Sequence, residues 1–589
     1  MADGSGIEKT RGGTRVGAGS RHELVLVALG EEPPDTVVVA GAVFDAVAGE
    51  FHRERAIWIK DGRIARVAPA SEGAPTGVEV VDASALTLVP GLIDGHTHLI
   101  RLFVPEFVRA LLPTGVTSLV VETMEYGATL GSSGVRPFIE ALRDQPLRLF
   151  YTAPALCGLT EEEEVAPLTP AEFDELLRDP LCLGLGEAYW GNALHPGPQG
   201  ARVRESIART LAAGKVAEGH TAGAKGVRLD AYTALGVSSC HEPISVEEAL
   251  ELYRRGYLVM LREGGIRRDL EKLRPLFDMP LDFRRFALVT DSVDPERLES
   301  WGYLDQVVRE ALELGISPSI VYRMVGANVA EHFRVEGDLG HLLPGRWADL
   351  VAIPSPEEFR PEFVMVGGRK VAERGRALVA PRPVTVAPGL LRTLTLDPDR
   401  ALAAAGPPPP TDVPVRVIEY VSNLVTREAA LTPAESLESD LMPVLALDRT
   451  GGDRAFWGFL KGLGLREGAF ATSTAWDTPD LLVVGRDAAS VRTALRRLVE
   501  LGGGVVYALG DQVVAESAAP VCAVATLEPA ERVCADLRGV TAALRAAGIA
   551  WEDPILAVDT LTTPAIPHLR ITHRGYVRLK DRTVLPLTL

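Results

Sequence analysis

The sequence predicts an α/β chain: a (β/α)₈ barrel, a small β-sandwich domain formed from the two segments flanking it, and a C-terminal α/β domain. Three observations predict this. Between residues 89 and 340, eight short apolar runs alternate with amphipathic segments. Strand-like texture stands on both sides of that stretch, at 36–88 and 341–380. A break rich in Pro, Ala and Gly at 381–413 then precedes a further α/β pattern over 414–589.

The first residues are Gly- and Arg-rich without an apolar centre, so 1–35 read as a disordered tail and not as a secretory signal. Val37-Val38-Val39, Ala56-Ile57-Trp58-Ile59 and Ile64-Ala65-Arg66-Val67 read as strands, and Asp61-Gly62 supplies a hairpin turn between the last two. Ala348-Asp349-Leu350-Val351-Ala352-Ile353 and Phe363-Val364-Met365-Val366 repeat that texture. The barrel strands fall near 89–95, 116–121, 148–154, 181–186, 215–219, 235–240, 257–262 and 286–290. Segments such as Val246-Glu247-Glu248-Ala249-Leu250-Glu251-Leu252-Tyr253 supply the helices between them. Residues 381–413, with four prolines at 407–410, read as a linker. Beyond it, Val415-Arg416-Val417-Ile418 and Leu481-Leu482-Val483-Val484-Gly485 read as strands, and a helix near 488–501 stops at Gly502-Gly503-Gly504.

At 589 residues the chain exceeds a single core. Its 47% hydrophobic and 24% charged residues are ordinary for a globular protein, and a net charge of −18 argues against nucleic acid or an anionic membrane as partner. No apolar stretch is long enough to span a bilayer. The five cysteines form no Cys-x-x-Cys pair, which suits a reducing compartment, so a cytoplasmic location is expected.

The chemistry-bearing residues stand at the C-terminal ends of the predicted strands, where a barrel of this kind carries its active site. His96 and His98 are two apart on one strand and so share a face. Glu187 ends the fourth run and Glu218-Gly219-His220 the fifth. His241-Glu242 ends the sixth and Asp291 the eighth. Nitrogen and oxygen donors without thiolate suit Zn²⁺, Mn²⁺ or Fe²⁺. One or two such cations would make hydroxide available near neutral pH. Glu187 is placed to bridge two of them, Asp291 to ligate and accept a proton from water, and Glu242 to relay a proton to the substrate or leaving group. Singly, each of these residues reads as structural. Together, on correctly ordered strand ends, they read as a metal site. Gly462-Leu463-Gly464-Leu465-Arg466-Glu467-Gly468 looks like a dinucleotide loop but lacks an acidic ribose clamp, and Glu161-Glu162-Glu163-Glu164 reads as a solvated loop or helix start.

At these residues the chain resembles the adenine deaminase family of the amidohydrolase superfamily. Pro90-Gly91-Leu92-Ile93-Asp94-Gly95-His96-Thr97-His98 is similar to the superfamily's first-strand motif. Leu185-Gly186-Glu187, Glu218-Gly219-His220, Leu229-Asp230-Ala231-Tyr232, Cys240-His241-Glu242, Met260-Leu261-Arg262-Glu263-Gly264 and Arg268-Asp269-Leu270 follow the deaminase pattern, and Leu463 to Ala469 resembles its C-terminal signature. The resemblance implies six metal ligands: His96, His98, Glu187, His220, His241 and Asp291. It further implies two divalent ions, Mn²⁺ foremost and Fe²⁺ or Zn²⁺ as alternatives, and conversion of adenine and water to hypoxanthine and ammonia in purine metabolism. A homo-oligomer is expected. The chain departs from the family at Leu99-Ile100-Arg101, Glu122-Thr123-Met124-Glu125, Asp291-Ser292-Val293 and Ala475-Trp476-Asp477-Thr478-Pro479-Asp480. Arg101, Glu122 and Glu125 are therefore the first candidates for contacts with a purine-like substrate or a related amino-heterocycle. Two other readings stand beside this one: hydrolysis of a cyclic or linear amide, and an inactive relative acting as a binding protein.

Overall fold

A computed structural model describes residues 18–155, 158–160, 168–438, 440–451, 454–566, 568–580 and 582–589. The acidic run at 161–164 and Cys157 lie outside the described residues. The other four cysteines are free and buried. No helix among the described residues is long and apolar enough to cross a membrane.

The eight barrel strands are Leu92–Thr97, Val116–Val121, Arg148–Ala153, Cys182–Tyr189, Val216–His220, Ser239–Cys240, Leu258–Arg262 and Phe286–Val289. Each pairs in parallel with its predecessor, so sheet order follows chain order. Apolar side chains fill the interior, among them Ile93, Val120, Leu183, Val216, Met260 and Val289, with Val329 of helix Ala327–His332 packed among them. The seam between the last strand and the first is made by side chains and one backbone bond. The backbone N–H of Asp291 donates to the His96 carbonyl at 3.1 Å, and Thr290 Oγ1 donates to Asp94 Oδ2 at 2.6 Å. Tyr303 donates to Thr97 Oγ1 at 2.8 Å. This seam sets His96 and Asp291 beside each other at the barrel mouth.

Both flanks contribute to one eight-stranded sheet, joined where Glu79–Pro90 runs antiparallel to Leu350–Ile353. Val38, Ile57, Ile64, Leu88, Leu350 and Phe363 meet in its core. The turn at Asp61-Gly62 has φ of 49° and 75°, the two positive values that a tight hairpin requires. Residues 18–29 differ from the disordered tail expected of 1–35. They form helix Ala18–Leu29, because Leu24 and Val27 bury against Val37, Ala56, Trp58 and Ala65 of the sheet. The segment read as a linker is likewise packed. Leu394 and Leu396 join the core of the C-terminal sheet, and helix Pro398–Ala405 lies against it.

The C-terminal domain is built on a second eight-stranded sheet, with helices Ala488–Leu501 and Ala530–Ala546. Gly502 ends the first helix in the left-handed conformation, as the Gly run predicts. Gly462, Gly464 and Gly468 all have positive φ and serve turns, not a phosphate loop. This domain locks onto the barrel. Ala525–Thr526 pairs in parallel with Arg101–Leu102, and the Arg101 guanidinium bonds Asp559 Oδ2 at 2.8 Å. Asp559 lies in helix Pro554–Asp559, whose N-terminus is capped by the Asp553 carboxylate.

Two outcomes follow from these contacts. Thr290→Val leaves the buried Asp94 carboxylate without its hydroxyl donor, and urea denaturation should register a loss of about 1–3 kcal/mol. A loss below about 0.5 kcal/mol would remove the seam from the account. Burial pushes the Asp553 carboxyl up to about 6 from an ordinary 3.8, so the folded state binds its proton more tightly than the unfolded state. Stability is therefore gained as pH falls from about 6 toward 4 and lost on the way back up. Asparagine caps helices as well as aspartate does. Asp553→Asn should melt above the wild type at pH 8, with the gap closing toward pH 4, and a gap that widens on acidification would contradict this.

Candidate active site

Each sequence-selected ligand sits at a strand end because the chain turns there out of the sheet. His96 and His98 emerge on the same face of the first strand, with ring centroids 5.2 Å apart. Glu187 projects from the fourth strand beside Gly186, where a Cβ would lie 2.1 Å from Glu122 Oε2. That glycine lets the Glu122 carboxylate reach the cluster. His220 closes the fifth strand and His241 follows the sixth. Asp291, just past the eighth, holds φ of 60°, followed by Ser292 at 136°. Non-glycine residues in this region are strained, and such strain concentrates at functional sites.

The side chains converge. His96 Nε2 lies 3.3 Å from Asp291 Oδ1 and 3.5 Å from Glu187 Oε1, and His98 Nε2 lies 3.5 Å from the same Asp291 oxygen. His241 Nε2 is 2.9 Å from Glu187 Oε1, and its ring stacks on His96 at 4.1 Å. Donor atoms here form three overlapping sets, each within 4.8 Å: His96, His98, Glu187 and Asp291; Glu187, His220 and His241; and His241, Glu242 and Asp291. Glu187 is the residue common to the first two, which together hold all six selected ligands. All six residues sequence reasoning chose as ligands are thus brought together.

Electrostatics favour a cation here. Burial opposes charge on His96, yet the Asp291 and Glu187 carboxylates push its pKa up to about 10. Burial likewise opposes charge on His98, while Glu125 and Asp291 raise its pKa well above the ordinary value. Apart from Arg262, which pairs with the other Asp291 oxygen, protonated imidazoles are what meets these carboxylates. A divalent cation balances them while leaving the imidazoles neutral and able to ligate. The buried His96 Nε2 also lacks a hydrogen-bond partner, as a nitrogen aimed at a metal position would. Nitrogen and oxygen donors in overlapping sets, with Glu187 joining the two that hold the six selected ligands, fit a pair of divalent ions.

Of the residues selected for substrate contact, none simply faces open cavity. Glu122 is buried behind His96, with Oε1 3.7 Å from Nδ1, and burial raises its pKa to about 8. Glu125 does line the cavity, but its carboxylate bonds His98 Nδ1 at 2.5 Å and so orients a ligand. Arg101 is turned away: its φ of 66° and its bond to Asp559 place it in the contact between the barrel and the C-terminal domain. Glu242, selected as a proton carrier, lies 3.3 Å from His220 Nε2 and 3.4 Å from His241 Nε2 and shares a donor set with His241 and Asp291.

Sequence reasoning missed Arg262. Its Nη1 lies 2.6 Å from both Glu242 Oε1 and Asp291 Oδ2, tying the two proposed catalytic carboxylates to one cation. Its position at the end of the seventh strand was the available signal. The C-terminal wall was missed as well. The cavity, about 270 Å³, is bounded on one side by His98, Glu187, His220, His241 and Asp291 and on another by Leu424, Val425, Trp476, Asp477 and Ile566. No strand-end rule selects those residues, because they come from another domain.

If Glu187 is common to both ion positions, Glu187→Gln should retain less than half the bound metal of the wild type by elemental analysis, whereas Glu122→Gln should retain most of it. Equal metal content in Glu187→Gln and wild type would contradict the shared-ligand geometry.

A family model described as the adenine deaminase C-terminal domain matches residues 419–583. The chain is 36% identical over 577 residues to the adenine deaminase of Moorella thermoacetica, covering 94% of this chain and 96% of that one. It is 31% identical to the adenine deaminase of Dehalococcoides mccartyi, covering 96% and 98%. It is also 32% identical to adenine deaminase 2 of Carboxydothermus hydrogenoformans, covering 96% and 99%. With the converging ligands at a barrel mouth and relatives matched along almost their whole length, this chain belongs to the adenine deaminase family.

Proposed function

We propose that the chain hydrolyses adenine to hypoxanthine and ammonia, using two divalent cations held by His96, His98, Glu187, His220, His241 and Asp291. The observation that carries this reading is Glu187 standing in the two donor sets that together hold all six ligands, in a chain related along nearly all its length to adenine deaminases. Mn²⁺ is the proposed metal, with Fe²⁺ and Zn²⁺ compatible with the same donors. The reading places the protein in purine metabolism in the cytoplasm, as a homo-oligomer. When bound, such cations lower the pKa of a coordinated water and polarise the ring carbon under attack.

The chain's own groups handle protons and position. Asp291 divides its two oxygens: Oδ1 faces the imidazoles, while Oδ2 is held by Arg262 at 2.6 Å. That arrangement fixes Oδ1 toward the reacting water, ready to accept its proton. Glu242 Oε1, held by the same Arg262 nitrogen, lines the cavity and passes a proton to the departing amino group. Arg262 holds Glu242 well below the ordinary carboxylate range against the opposing effect of burial, so the residue begins the cycle as an acceptor. Water adds its oxygen at the carbon bearing the amino group, and its two protons, taken up in turn by Asp291 and Glu242, go one to the adjacent ring nitrogen and one to the amino group, so that the carbon–nitrogen bond breaks, a C=O forms and ammonia leaves.

The test is ammonia and hypoxanthine production from adenine by Mn²⁺-loaded protein, run beside adenosine and small cyclic amides. Turnover of adenine above the others supports the reading, and turnover of an amide with none of adenine overturns it. Glu242→Gln should lose about 10²- to 10⁴-fold in kcat while keeping its metal. Asp291→Asn should lose metal as well as activity. A Glu242→Gln enzyme with near-normal kcat would remove this carboxylate from the proton path.

A further inference from the structure

The C-terminal domain presents a carboxyl to the active-site cavity. Asp477 lines the cavity with Trp476, and His98 is a positive charge acting on it there. It is half-buried and belongs to none of the metal-donor sets. Its backbone is held at φ of 63°, in the left-handed region that an L-residue enters only when its surroundings enforce it.

Those surroundings are explicit. The backbone N–H of Trp476 donates to the Asp559 carbonyl at 2.9 Å, and Thr562 Oγ1 donates to the Trp476 carbonyl at 2.6 Å. The Thr563 hydroxyl bonds Asp477 Oδ2. Asp559, in turn, accepts from Thr472 at 2.6 Å and Thr474 at 2.8 Å and pairs with Arg101 of the barrel. A strained residue is thus pinned from both sides so that its carboxyl meets the cavity near Tyr189, whose hydroxyl lies 3.3 Å from Glu187 Oε2. The hydroxyls of Thr563 and Tyr189 hold this carboxyl at the cavity wall. Burial moves it up to about 7, close to the point where a carboxyl both donates and accepts hydrogen bonds.

A purine offers a partner to the side of this carboxyl that faces the cavity. Its ring nitrogens are acceptors in the plane of the base, and a site that meets a ring nitrogen with a buried donor rejects analogues without it. Resting on the adenine reading above, we propose that the C-terminal domain completes the substrate pocket and that Asp477 is its recognition group, hydrogen-bonding through its carboxyl to a ring nitrogen of the purine. Arg101 then has a defined purpose: it fastens Asp559, and through it the Trp476-Asp477 loop, to the barrel.

The experiment compares wild type, Asp477→Ala and Asp477→Asn, all Mn²⁺-loaded and checked for equal metal content and melting temperature. Adenine turnover is measured first. The inhibition constants of 1-deaza-, 3-deaza- and 7-deazaadenine are measured next. The expected result is that one of the three analogues binds wild type at least about tenfold more weakly than the other two, and that this difference disappears in Asp477→Ala. Asp477→Asn, which keeps a donor and an acceptor, should recover part of the lost kcat/KM and restore the discrimination. Unchanged discrimination in Asp477→Ala, or kcat/KM within about twofold of wild type, overturns the assignment while leaving the deaminase reading intact. If Asp477→Ala fails to fold, Asp477→Asn alone decides, since loss of discrimination there with metal retained contradicts the proposal. Wild-type protein that does not turn over adenine sinks the deaminase reading and this inference with it.

Discussion

Four imidazoles and two carboxylates share a buried space at the barrel mouth, where Arg262 meets one carboxylate and protonated imidazoles meet the remaining charge unless a cation does. This constraint organises the rest of the molecule. It explains why Gly186 must leave room for Glu122, why Glu125 holds His98, and why Arg262 divides itself between Glu242 and Asp291. Each of these groups aims a ligand or keeps a carboxylate ionised. Outer groups of this kind govern both metal affinity and reactivity.

The barrel supplies the rigidity that such a cluster needs. Its ligands come from five different strands, and donor atoms separated by nearly two hundred residues of chain stay within 4.8 Å because the seam between the first and last strands is closed. Asp94, Thr290 and Tyr303 close it with buried hydrogen bonds, and none of them reaches the substrate cavity. The strained backbone at Asp291 and Ser292 sits at that closure, so the geometry of the ligand is bound to the closure of the fold.

Much of this was legible in the chain. Barrel strands announced themselves because each is a short apolar run, and the ligands because they cap such runs in chain order. The hairpin at Asp61-Gly62 and the helix stop at Gly502 followed from turn chemistry. What was not legible depends on long-range contact. Nothing local marks Leu24 and Val27 as a buried helix face, or Leu394 and Leu396 as core, until the sheets they cover are in place. Arg101 looked like a substrate contact because it follows the paired histidines, but the partner that claims it lies 458 residues away. Asp477 stood in the sequence only within a segment that departs from the family, and its place at the cavity was not legible, because it arrives from another domain on a loop shaped by Asp559, Thr562 and Thr563.

The central claim is a pair of divalent ions joined by Glu187, and anomalous diffraction from crystals of the Mn²⁺-loaded protein tests it most directly. The account requires two peaks about 3.5–4 Å apart, with the Glu187 carboxylate in contact with both. One peak alone, or two of which Glu187 touches only one, would contradict it.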